Sequence, residues 1–103
     1  MMRTAKYNII TAPNAVPLGL LAPPSRVRVA LMVSVMGTNP IFVTPDPGAA
    51  VLTGFKITPE SGPLLLRREE LGDVITGAWY ISAMTSSQLV PVMDISDSAW
   101  SDR

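Results

Sequence analysis

The chain contains neither cysteine nor histidine. Without cysteine there is no disulfide framework and no thiolate nucleophile. Without histidine the commonest general base, the commonest metal ligand and the usual pH switch are all missing. The two absences together argue against a zinc site. Charge is scarce as well. Only 16% of residues are charged, against a usual share of about 25%. Eight basic residues balance eight acidic ones, so the formal net charge is zero. A neutral chain lacks the surplus of cations that drives phosphate binding, and nucleic acid is not the expected partner. Neutrality also removes the repulsion that keeps copies apart, which favours association. No run approaches the roughly 20 apolar residues that a membrane-spanning helix needs. The first ten residues lack the apolar stretch of a signal peptide. No membrane partner is expected, and synthesis in a cytoplasm is.

What is present is apolar surface and punctuation. Of 103 residues, 48% are hydrophobic, and ten prolines and seven glycines break the chain at short intervals. Short apolar runs divided by turn residues describe an all-β sandwich or barrel. The expected fold is a small antiparallel β-sandwich or jelly-roll-like barrel with a proline-rich N-terminal arm. Residues 25–96 form the sandwich domain and 97–103 a polar tail. Residues 1–24 read equally as an arm lying on a neighbour or as a long first loop with an edge strand.

The clearest pattern runs from Arg26 to Val35. Val27, Val29, Leu31, Val33 and Val35 occupy every odd position. Side chains alternate faces along a strand, so this predicts one long strand with those aliphatics inward. Arg26, Arg28, Met32 and Met36 then face outward as an amphiphilic stripe. That stripe reads as an intermolecular interface, or as a face covered by a second layer of the same chain. Gly37, Thr38, Asn39 and Pro40 have turn chemistry, and they predict a hairpin with residues 41–44. Only residues 64–71 have room for a short helix; residues 63–68 read as a strand, and 69–73 as a charged connector or one helical turn. A last hairpin is expected between residues 77–84 and 88–96, with Trp79 inside and Tyr80 outside. Pro91 cannot donate to a ladder, so its strand is expected at a sheet edge or with a bulge.

No residue makes a case for catalysis. The carboxylates sit where solvated residues sit, and Asp94 reads as an outward residue between Met93 and Ile95. The serines have no histidine to activate them. No catalytic, cofactor-binding or metal-binding residue is expected, and no cofactor. Arg67 and Arg68, followed by Glu69 and Glu70, read as a contact to a partner of mixed charge or as a solvated strand end. The residues expected at an interface are Arg26, Arg28, Met32, Met36, Arg67, Arg68, Tyr80 and Trp100.

The elements also come in a familiar order. Val16, Pro17 and Leu18 lead to Arg26, which opens the long strand through Val35. The turn Gly37-Thr-Asn39, the strand Ile41-Phe-Val43, the pair Gly54-Phe55 and the turn Pro59-Glu-Ser-Gly62 follow. Ala78-Trp-Tyr-Ile-Ser-Ala83 and Val90-Pro-Val-Met-Asp-Ile95 complete the series. Over residues 15–96 this order resembles small tailed-phage virion proteins of the head-decoration, cement and head-fibre-base class. The resemblance implies a non-enzymatic structural protein that decorates or cements a capsid shell. It implies a location in the virion, contact with the major capsid protein or another virion protein, and a homo-oligomer, often a trimer. The chain departs from the class in its proline-rich residues 12–24 and in Pro91. A carbohydrate- or receptor-binding β-module of a fibre is the alternative. It needs exposed aromatics, and Tyr7, Tyr80 and Trp100 are those available. A small enzyme is the weakest reading, for want of histidine and cysteine.

Overall fold

Among the described residues the alternating apolar runs become eight strands, separated at the proline and glycine clusters. The computed structural model describes residues 3–85 and 88–97. In chain order the elements are β1 (Arg3–Ala12), β2 (Gly19–Ala22), β3 (Arg28–Val33), β4 (Ile41–Thr44), β5 (Phe55–Ile57) and β6 (Leu64–Arg67). A single helical turn, α1 (Arg68–Leu71), and a 3-10 turn (Gly72–Thr76) follow, then β7 (Trp79–Ala83) and β8 (Gln88–Asp97). One four-stranded sheet has the order β1-β8-β3-β6, and the other has β2-β7-β4-β5. Every ladder is antiparallel. The first strand pairs with the eighth, the second with the seventh, the third with the sixth and the fourth with the fifth. This is the strand order of a jelly roll, an all-β sandwich as the composition predicts.

The two sheets bury a shared core. Leu31 and Val33 of β3, Ile41 and Val43 of β4, Trp79 and Ile81 of β7, and Val90 and Val92 of β8 meet between them. Each large side chain removed from water contributes about 1.5–3 kcal/mol. Trp79 lies inside as expected, fully buried. Residues 1–24 supply an outer strand to each sheet: β1 flanks β8, and β2 flanks β7.

Two expected hairpins are not hairpins. β3 and β4 belong to different sheets, and so do β7 and β8. The turn chemistry is real, but it reverses the chain without saying whether the next strand lies beside the last or across from it. Both edges of β7 are already taken by β2 and β4. β8 therefore has no place next to β7 and crosses to the other sheet. Residues 34–40 between β3 and β4 are longer than the usual two-to-five-residue hairpin loop.

Pro91 lies in β8 with β1 on one side and β3 on the other, not at a sheet edge. Its carbonyl accepts the Ser34 N–H at 3.1 Å. In an antiparallel ladder the N and C=O of a residue face the same neighbour. The missing donor of Pro91 therefore faces the end of β3, where that strand is leaving the sheet. The proline costs a bond at a ladder end, not in the middle of one.

The outer faces of the two sheets differ. Over the second sheet, residues 45–54 fold back so that the Leu52 N–H donates to Ser82 Oγ at 2.9 Å. Gly54 permits this return. Its φ is 112°, and a Cβ there would lie 2.2 Å from the Val43 carbonyl oxygen. Among the described residues, no comparable loop bond lies on the outer face of the first sheet. No helix among them is long and apolar enough to cross a membrane.

Candidate functional site

The stripe expected on β3 is split by a bulge. Arg28 pairs with Ser96 and Ala30 with Ile95, so β3 takes two steps where β8 takes one. An extra residue moves everything before it to the opposite face. Met32 keeps the outward position, but Arg28 turns inward and is 0% exposed. The placement of Arg28 on an outward face is thus corrected. Val29, expected inward, is buried but lies outside the core between the sheets, at the floor of a small cleft with Arg67 and Arg68.

Inside, Arg28 meets acceptors on every side. Its Nε and Nη2 donate to the two carboxylate oxygens of Asp94, each at 3.0 Å. Its Nη1 donates to the carbonyls of Ile75 at 3.0 Å and Gly77 at 2.8 Å, and its Nη2 also donates to that of Pro23. The planar fork of arginine suits this combination of a bidentate carboxylate and fixed carbonyls. Asp94 accordingly sits on the same side of β8 as Val90 and Val92, not outward. The residue ties β8, the 3-10 turn and the segment after β2 to one guanidinium. Its role is structural.

Arg68 is likewise drawn into the fold. Its Nη1 donates to the carbonyls of Arg28 at 3.2 Å and Arg26 at 3.4 Å, and its Nη2 lies 3.5 Å from Asp73. Arg67 stays exposed, with Nε donating to Glu70 at 2.8 Å. That acceptor and its charge raise the Arg67 pKa above its ordinary value. Arg26 is exposed and Tyr80 half-buried. Tyr80 lies on the other sheet, opposite Leu20 and Thr44. Trp100 lies outside the described residues.

Met32 is the expected interface residue with the most informative surroundings. The ladders place Tyr7, Met93, Met32 and Leu65 in one row across β1, β8, β3 and β6. Tyr7 is 63% and Leu65 44% exposed. Ile9 and Pro91 form the next pair on one side, and Ala5 and Ile95 the pair on the other. With strands about 4.8 Å apart and residues of one face about 6.8 Å apart along a strand, each side chain covers about 33 Å², and these eight cover roughly 260 Å². That is close to 300 Å², about the size of the largest apolar patch on a typical monomer, which is often functional. Arg67 lies at its margin, opposite Ala30.

Tyr7, Met93 and Leu65 were not expected there. Met93 and Leu65 lie in strands with apolar residues on both faces, and Tyr7 in a strand with polar residues on both, so the outward set could not be told apart without the register. Met36 is exposed but lies away from this row. With Gly37, Thr38, Asn39, Thr85, Gln88 and Leu89 it lines an open groove of about 420 Å³ at one end of the sandwich. The groove carries amide groups from Asn39 and Gln88. No aromatic ring lines it among the described residues.

Among the described residues no three metal-ligating side chains come together. The chain matches no family model, no curated protein and no solved structure.

Proposed function

We propose that the protein is a non-catalytic structural component of a virus particle, one that decorates or cements the capsid shell through protein–protein contacts. The observation that carries this is the apolar outer face of the first sheet, centred on the half-buried Met32 and Met93 and left open among the described residues. Methionine, tyrosine and arginine are enriched at interfaces, and here Met32, Met93, Tyr7 and Arg67 share one rigid face. Standard interfaces bury about 800 Å² on each partner. The apolar row and its neighbours would be the dry centre of such a contact, with a polar rim around them. Jelly rolls occur in viral capsid and lectin domains alike, so the fold alone does not choose between them. The composition and the resemblance to decoration proteins favour the first.

A glycan-binding module would use the groove between Met36 and Leu89. The groove has amides but lacks the stacking ring that sugar recognition favours among its described residues. The deciding experiment is co-sedimentation with shells of the encoding virus assembled without this protein. Saturable binding that is lost in the Met32→Asp/Met93→Asp variant supports the proposal. A saturable affinity for free glycan, with no binding to shells, would replace it by the module reading.

A further inference from the structure

Among the described residues the free edge of β1 is the longest unbroken one, with Arg3 and Lys6 its only charges. Outer strands are normally short, bulged or interrupted, because a bare edge recruits another chain. Three of the four outer strands follow that rule. β5 has three residues, β6 four, and β2 four with a register shift between Leu20 and Ala22. β1 has ten residues in unbroken register with β8, from Arg3 opposite Asp97 to Ala12 opposite Gln88. It contains neither proline nor glycine.

The structure also shows which backbone groups are free. Pro91 turns its carbonyl to β3, so its partner across the ladder, Ile9, turns its own N–H and C=O away from β8. The Ile9 N–H is met instead by Asn8 Oδ1 at 3.0 Å, a side chain standing in for a strand. By alternation Ala5 and Tyr7 present their backbone groups to the same open edge.

We infer that β1 pairs with β1 of a second copy, antiparallel about a two-fold axis at Tyr7, joining two four-stranded sheets into one of eight strands. This register sets Ala5 opposite Ile9 and Lys6 opposite Asn8. A shift that centred the axis on Lys6 would place two like charges directly opposite, which is unfavourable. A shift that centred it on Asn8 would also pair nine of the ten residues, but it would set Asn8 opposite its own copy, so that Asn8→Glu would place two carboxylates face to face and loosen the dimer. An isologous contact of this kind closes as a dimer. The surface is the strand edge, separate from the apolar face assigned to the shell. The trimer implied by the resemblance would leave this edge unpaired.

The test is sedimentation equilibrium of the full chain over a dilution series, with three variants. A dimer is expected for the parent protein. Ala5→Pro removes an N–H that faces the open edge and leaves the bonds to β8 in place, so it should keep the circular dichroism and weaken the dimer about tenfold or more. Asn8→Glu sets a carboxylate opposite Lys6 at two related positions and should tighten the dimer. Asn8→Lys should loosen it. Amide exchange provides a second readout: Ala5, Tyr7 and Ile9 should be protected in the dimer and exchange faster after dilution. A monomer at every concentration, a trimer, or a dimer indifferent to both Ala5→Pro and the Asn8 pair would overturn the inference.

Discussion

Replacing Asp94 by asparagine would test whether Arg28 acts as a structural clamp. The change preserves shape but removes the charge opposite a guanidinium that is 0% exposed, and it turns an NH2 towards existing donors. Breaking a buried pair from one side costs about 3–5 kcal/mol, because the remaining charge stays buried. Asp94 itself is 21% exposed, so water replaces part of what is lost. The carbonyls of Pro23, Ile75 and Gly77 also continue to hold Arg28. The expected cost is therefore at the lower end of that range, about 3 kcal/mol. For a domain of this size each kcal/mol lowers Tm by about 4–8 °C. Urea unfolding should show a lower midpoint with an unchanged slope. The double variant Arg28→Met/Asp94→Leu should recover only part of the loss, since the Ile75 and Gly77 carbonyls then lack their donor. A cost below about 0.5 kcal/mol for Asp94→Asn, the range of ordinary surface changes, would refute the clamp.

Other substitutions test the remaining assignments by the same urea titration. Leu31→Ala, at a fully buried position between the sheets, should cost about 2–5 kcal/mol. Gly54→Ala should cost more than about 1 kcal/mol, because its φ of 112° and the nearby Val43 oxygen leave no room for a methyl group. Arg67→Ala should leave the urea midpoint unchanged, since its pair with Glu70 is exposed and screened by water. Met32→Asp/Met93→Asp should leave the circular dichroism of the free protein unchanged while abolishing binding to shells. Unfolding of that variant would show that the face is part of the core.

The amino-acid sequence determined the class of this protein and much of its local structure. Alternation located β3, β4, β7 and β8, and proline and glycine clusters located the breaks. Trp79 could be placed inward because Ile81 and Ala83 share its side of the strand. These features depend on a strand's own two-residue period, which a single segment carries. The tertiary structure decided everything that depends on which strand lies beside which. Whether a turn joins neighbours or crosses between sheets depends on the edges already occupied, and no turn sequence records that. The inward turn of Arg28 depends on one extra residue in β3 relative to β8, visible only when the two strands are paired. Tyr7, Met93, Met32 and Leu65 are separated along the chain by 25 to 86 positions. They form a surface only because the jelly-roll order brings β1, β8, β3 and β6 together in one register.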